Sequence, residues 1–191
     1  MDKQELDSEA NVGIYISTFL GTVALFFAGI LISRLQNFDS SLKIPILYLI
    51  VATFGFVFSA VIYANMVGAK RLERKAEQSY IRLGNVISEY LGLYLFIAAI
   101  PMVVNAVTTD SFLRLTTLLV TMISLALYSV SPFSIARRGF SRAALVIFTL
   151  FVTLSLVAAA VLQHHDALLK ANGALFIVVL SLTAILHRNK V

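Results

Sequence analysis

Three consecutive residues, two histidines and an acid, are the clearest candidates in this sequence for binding a metal ion. His164, His165 and Asp166 carry imidazole and carboxylate groups, which are common ligands of zinc. A protein zinc site needs three or four convergent ligands, however, and adjacent residues on a helix point about 100° apart. We therefore expect no bound metal. The two other interpretations are a pH sensor and the polar end of a helix at the water interface.

A second set of polar residues is uncharged and lies inside apolar stretches. Thr117, Thr121 and Ser124 recur at spacings of four and three residues, which places them on one face of a helix. Asn105 lies four residues after Pro101, in the stretch that precedes them. These groups either form hydrogen bonds within and between helices or line a narrow polar pathway with Asn105 near its outer mouth. Both interpretations remain open.

The sequence contains none of the common catalytic motifs. There is no G-x-S-x-G, H-E-x-x-H, Walker or G-x-G-x-x-G pattern, and the absence of cysteine excludes thiolate chemistry. No ionisable residue lies near the middle of an apolar stretch, where ion-coupled transporters usually place one. Glu89 is expected to be a lone interfacial charge at the inner end of the third stretch. We therefore expect a non-enzyme without a cofactor.

The composition indicates an integral membrane protein. Of 191 residues, 59% are hydrophobic and only 13% are charged, against about 25% charged in an average globular chain. A domain of this size cannot bury so much apolar surface in its own core, so the surplus must face lipid.

The charge-free stretches predict an all-α, polytopic transmembrane bundle with six spans in a single membrane domain, 1–191. A spanning helix needs about 20 mostly apolar residues. The sixth stretch is short and reaches that length only if Lys170 extends its amine to the interface. The predicted spans are 11–33, 44–69, 90–109, 113–134, 143–163 and 168–187. Residues 70–89 have apolar side chains at helical spacing and predict a cytoplasmic amphipathic extension, which either continues the second span or lies along the membrane.

The basic residues predict the orientation of the bundle. Most lysines and arginines lie at the termini, in 70–89 and in 137–142, all on one side of a six-span chain. The positive-inside rule makes that side cytoplasmic, with both termini inside, and we expect a multi-pass protein of the plasma membrane.

Small residues four apart mark faces on which helix backbones can approach closely. Such faces serve either packing within the first hairpin or self-association, and the sequence leaves both open. The pairs and triplet are Ser17 and Gly21, Ala24 and Ala28, Gly55 and Ser59, and Ala60, Ala64 and Gly68.

The basic cytoplasmic surface is the remaining feature with a functional interpretation. It is expected to bind anionic lipid headgroups or an acidic partner protein. Nucleic acid is not expected, because aromatic residues are not interleaved with the basic ones. The surface comprises Lys70, Arg71, Arg74, Lys75, Arg82, Arg137, Arg138 and Arg142.

Together these features predict a non-enzymatic multi-pass subunit. It would self-associate, or anchor a cytoplasmic partner at the inner face, as a homo-oligomer or a hetero-complex. The alternative is an oligomeric passive channel or transporter with a neutral Ser/Thr/Asn-lined pathway.

Overall fold

A computed structural model of the chain describes residues 3–34, 42–69 and 73–188. All regular structure in these ranges is helical, which confirms the predicted fold class. The α-helices are α1 (Lys3–Arg34), α2 (Lys43–Gly68), α3 (Arg74–Ile87), α4 (Tyr94–Val107), α5 (Ser111–Val130), α6 (Ile135–Gly139), α7 (Arg142–Val161) and α8 (Asp166–His187). A π-helical segment, Ser88–Leu93, joins α3 to α4, and a 3₁₀ turn, Leu162–His164, precedes α8.

Six helical stretches within the described ranges are long and apolar enough to cross a membrane, as predicted. The sixth is α8, whose 22 residues extend about 33 Å at 1.5 Å per residue and so cover about 30 Å of hydrocarbon. The chain is therefore an integral, multi-pass membrane protein. Large apolar side chains such as Phe19, Ile147 and Leu154 are exposed on the outside of the bundle, where lipid would cover them.

The third span, Arg74–Val107, is one continuous helical stretch built from α3, the π segment and α4. The second helix ends at Gly68, and both Ala69 and Glu73 have extended backbones. After this turn α3 packs back along α2 and also contacts α1. Near the turn a small cluster separate from the main core holds these helices together: Leu6, Ala10, Tyr63, Met66 and Ile81.

Both ends of the described chain lie on one side of the bundle, which we call the termini side; the other is the far side. Glu9 near the start of α1 contacts Asn85 in α3, and His187 at the end of α8 contacts Tyr90 in the π segment. The 32 residues of α1 extend about 48 Å, well beyond the hydrocarbon thickness.

The main core lies between α2, the third span, α5, α7 and α8. Its largest buried side chains are aromatic, with Tyr48 stacked on Phe176 and Phe148 in edge contact with Tyr90 and Tyr94.

Polar side chains cap the starts of α5 and α7. Asp110 caps α5 by accepting from the backbone N–H of Phe112 and Leu113, and the hydroxyl of Ser141 accepts from the N–H of Ala144 at the start of α7. Such caps satisfy the free N–H groups of a helix start.

Candidate functional site

A buried carboxylate at the start of the third span's π segment organises the termini side. Glu89 is only 4% exposed. The hydroxyls of Tyr128 and Ser134 donate to its oxygens at 2.9 and 2.8 Å. The backbone N–H groups of Ile135 and Ala136 donate at 2.7 and 3.0 Å. The expectation that Glu89 is a lone charge is therefore wrong, because four donors from a distant part of the chain surround it.

Three of these donors, Ser134, Ile135 and Ala136, form the start of α6, the short helix between the fourth and fifth spans, and Tyr128 lies near the end of α5. Ser134 is the N-cap of α6, and the hydroxyl accepts from the N–H of Ala136 at 3.1 Å while donating to Glu89. A helix start presents unpaired N–H groups, and a carboxylate satisfies them well. Glu89 therefore fixes the position of α6, on which Arg137 and Arg138 are exposed.

The π segment itself is held by close contact with α2. A Cβ atom on Gly55 would lie 2.7 Å from the backbone carbon of Leu91, and one on Gly92 would lie 2.6 Å from the ring of Phe56. Glycine is required at position 55 because the backbone of the π segment leaves no room for a side chain, and at position 92 a side chain would collide with the packed ring of Phe56. The tight packing sets the rotation of the segment and hence the direction in which Glu89 points.

A tyrosine–histidine pair lies beside Glu89 in the core. The hydroxyl of Tyr90 is 2.6 Å from Nδ1 of His187, and each residue is at most 1% exposed. Phe140 packs edge-on against the imidazole, with 4.2 Å between ring centroids. Gly139 lets the ring approach, since a Cβ there would lie 2.7 Å from the imidazole. The ring of Tyr94 stacks on that of Tyr90. The Tyr94 hydroxyl is buried and has no hydrogen-bond partner among the described residues.

A second polar chain connects the three helices of the termini side. The hydroxyl of Tyr63 donates to Oδ1 of Asn85 at 2.5 Å, and Nδ2 of Asn85 donates to Glu9 at 3.2 Å. One turn deeper, the hydroxyl of Ser59 donates to the carbonyl of Gly84 at 2.8 Å. These bonds join α2, α3 and α1 into a fixed unit.

A cleft of about 260 Å³ opens next to these networks, and we call it the termini-side cleft. Its walls come from α1, α2, the third span, the end of α5, the loop before α6 and α6 itself. The polar lining residues are Glu9, Asn85, Ser88, Glu89, Tyr128 and Arg138, and the apolar ones include Ile16, Leu20, Phe56, Leu93 and Phe133.

A far-side cleft of about 270 Å³ lies between α4, α5 and α7. Its polar lining is Asn105, Ser111 and Arg114. Nε of Arg114 donates to the carbonyl of Thr108 at 2.5 Å, and Asn105 donates to the side chain of Gln163.

The residues predicted to line a pathway differ in their exposure. Thr121 is buried, Thr117 is half-buried and Ser124 is exposed, while Asn105 borders the far-side cleft. Apolar side chains of the main core, such as Leu95, lie between the two clefts.

The predicted packing residues fall into two groups. One group lies at contacts inside the bundle: Ser17, Gly21, Ala24 and Ala28 on α1, with Gly55 and Ser59 on α2. The hydroxyl of Ser17 donates to Ser59 at 3.4 Å. The other group faces outward, since Ala60 is half-buried and both Ala64 and Gly68 are exposed.

The candidate metal ligands do not converge within the part of the chain that the structure describes. His165 is exposed, and Asp166 forms an ion pair with Lys170 at 2.5 Å. The side chain of His164 lies outside the described part. No group of three acidic or histidine side chains there could hold a metal ion.

Most of the predicted basic surface is accessible. Arg82 is half-buried on α3, and Lys70 and Arg71 lie outside the described residues. The exposed members are Arg74, Lys75, Arg137, Arg138 and Arg142.

Comparison with known proteins adds no relative to this picture. No protein-family model matches the chain, and neither a curated protein nor a solved structure matches it. The architecture of a six-helix, multi-pass membrane protein is therefore established from the chain's own helices.

Proposed function

We propose that this chain is a non-enzymatic membrane subunit that anchors a partner protein at its termini side, the side that the basic residues assign to the cytoplasm. The observation that carries the proposal is the set of three hydrogen bonds by which buried Glu89 holds the start of α6, together with a fourth from Tyr128 on α5. The partner would present acidic side chains to Arg137, Arg138 and Arg142.

The energetics of Glu89 support this assignment. Removing a carboxylate from water costs several kcal/mol even in real proteins, and here four donors offset that cost. The result is a fixed loop with exposed Arg137 and Arg138. Attraction to anionic lipid depends on charge near the surface and needs no fixed loop. A protein partner, by contrast, benefits from arginines held in position, because less conformational freedom is lost on binding.

The alternative of a passive channel has less support in the single chain. The two clefts lie at opposite sides of the bundle, and apolar side chains of the main core lie between them. Self-association through the outward residues Ala64 and Gly68 is compatible with anchoring. The oligomeric state of the purified protein, determined by native mass spectrometry, would test self-association.

The experiment is affinity capture from membranes in mild detergent, comparing the native chain with the double variant Arg137→Glu, Arg142→Glu. We expect a stoichiometric acidic partner to be released by the double variant. The matched control is Arg34→Glu with Lys43→Glu, which reverses two exposed charges on the far side and should leave the partner bound.

A captured set unchanged by the termini-side reversals would contradict anchoring through this surface. Native mass spectrometry of the same eluates would then show what remains. A symmetric oligomer without a second chain would favour the channel and lead to ion-flux measurements in liposomes.

A further inference from the structure

The lining of the termini-side cleft carries charges of both signs, on Glu9, Glu89 and Arg138, beside apolar side chains such as Ile16 and Leu20. We propose that the cleft binds a single phospholipid whose headgroup carries both an ammonium and a phosphate group, such as phosphatidylethanolamine. This inference does not depend on the anchoring proposal.

The lining supplies one partner for each charge of such a headgroup. Glu9 on α1 and Arg138 on α6 both line the cleft. A guanidinium matches the geometry of phosphate oxygens, and a carboxylate pairs with an ammonium. Nε of Arg138 lies 3.3 Å from the carbonyl of Pro132, and Asn85 donates to Glu9 at 3.2 Å, so both charged groups are oriented by neighbours.

The apolar residues of the lining extend along α1, as a lipid tail would extend from its headgroup. Ile16 and Leu20 line the cleft on the same helix as Glu9. Leu20 lies eleven residues after Glu9 in the sequence, which is about 16 Å along a helix. The lining therefore changes from charged to apolar in the direction of the bilayer centre, as expected for an amphiphile.

The position of the cleft favours a lipid over a soluble solute. α1 packs on α2 and α3, whereas α5 packs on α4 and α7, so the cleft lies in the gap between α1 and α5. Phe133, which lines the cleft, is 78% exposed and so would be available for contact with lipid. The volume of about 260 Å³ suits a headgroup and the first part of one chain.

The charge of the lining selects the headgroup. Two carboxylates, Glu9 and Glu89, face one arginine across the cleft. A headgroup with only negative charge would meet repulsion from Glu9, whereas an added ammonium converts that repulsion into attraction. We therefore expect phosphatidylethanolamine to bind better than phosphatidylglycerol.

The first test is native mass spectrometry of the delipidated chain, titrated with each of the two lipids. We expect the native chain to retain phosphatidylethanolamine. Glu9→Gln and Arg138→Gln should each weaken its binding about fivefold, since one near-surface charge contributes on the order of 1 kcal/mol. Asp7→Asn and Arg188→Gln are the controls, because neither residue lines the cleft, and both should bind as the native chain does.

The second test uses the absence of tryptophan from the chain. Ile16→Trp places a fluorophore in the cleft, and Ile32→Trp places one on the far half of α1, where the native residue has the same 52% exposure. Phosphatidylethanolamine with brominated tails should quench the indole at position 16 more than brominated phosphatidylglycerol does. At position 32 the two lipids should quench equally.

Two results would overturn the proposal. Equal binding of both lipids, unaffected by Glu9→Gln and Arg138→Gln, would show that the cleft does not distinguish between lipid headgroups. If water-soluble phosphoethanolamine binds tightly and phosphatidylethanolamine binds no more tightly, the site takes a free solute and does not require an acyl chain.

Discussion

The termini side and the far side of the bundle are built in different ways. On the termini side, Glu89, the Tyr90–His187 pair and the Tyr63–Asn85–Glu9 chain connect helices through buried or half-buried polar groups. On the far side, few polar contacts between helices occur among the described residues, such as Asn105 with Gln163 and Asn172 with the carbonyl of Ser155.

This difference in polar contacts indicates that the helices of the termini side are held in a single relative geometry. A buried polar group is costly unless it is paired, so a satisfied network favours a single geometry. Apolar packing between transmembrane helices lacks that constraint, because lipid tails are as apolar as the side chains. The termini side is therefore the half suited to presenting a defined surface, and substitutions there should cost more stability than comparable ones on the far side.

The largest effect is expected for Glu89→Ala. The substitution removes the acceptor of the Ile135 N–H and of two hydroxyls, and it leaves the N–H of Ala136 only its 3.1 Å bond to Ser134. The loss should destabilise the fold by about 3 kcal/mol or more. Thermal unfolding in mild detergent, followed by circular dichroism, measures this. Glu73→Ala removes an exposed carboxylate and is the control; similar melting temperatures for the two variants would refute the special role of Glu89.

Gly55→Ala should follow in size. Its Cβ would lie 2.7 Å from the backbone carbon of Leu91, and backbone cannot move aside as a side chain can, so we expect a loss of about 1–3 kcal/mol. Gly68→Ala on the same helix meets nothing within 4 Å and should change stability by less than about 0.5 kcal/mol. Equal losses in the same unfolding assay would show that α2 does not approach the π segment this closely.

Tyr90→Phe tests the buried pair with the smallest change of shape. Loss of the hydroxyl removes the 2.6 Å contact with Nδ1 of His187 and should cost about 1–2 kcal/mol. Tyr80→Phe, on the exposed part of α3, should be neutral. If Tyr90→Phe also leaves the melting temperature unchanged, the pair does not contribute to holding α8 against the third span.

Asn105→Leu should have the smallest effect of the four and represents the far side. It breaks one bond, to Gln163, and interhelical hydrogen bonds in membranes average about 0.6 kcal/mol. The exposed Thr116→Val is the control. A loss as large as that of Glu89→Ala would remove the contrast between the two halves, and a change in ion flux in liposomes would revive the channel alternative.

The sequence predicted the number of spans correctly, because each must present about 20 apolar residues to lipid. The helix of the third span begins at Arg74, earlier than the predicted 90–109, because α3 and the π segment continue directly into α4. Even the sixth span, with Asn172 and Gly173 near its start, is a full helix. Spacing could not decide which small residues face inward. Gly55 with Ser59 and Ala60 with Ala64 show the same four-residue interval, yet only the first pair is buried.

The surroundings of Glu89 could not be predicted for a different reason. Two of its four donors are backbone N–H groups, which every residue except proline carries, so no residue type marks them. The partners lie 39 to 47 residues away. The available signal was Ser134, a serine suited to capping a helix, close to the basic residues of the same loop. The π segment, which aims the carboxylate, left no pattern that we recognise.

The distance in sequence between Glu89 and its donors has a consequence for biosynthesis. The third span is made before Tyr128, Ser134 and the start of α6 exist. At roughly 5–20 residues per second, the 47 residues from Glu89 to Ala136 need about 2–9 s of translation. During that interval the carboxylate has none of its final partners, and an unpaired charge resists entry into hydrocarbon. Glu89 should therefore remain at the water interface, and the third span should reach its final depth only after Ser134, Ile135 and Ala136 have been made.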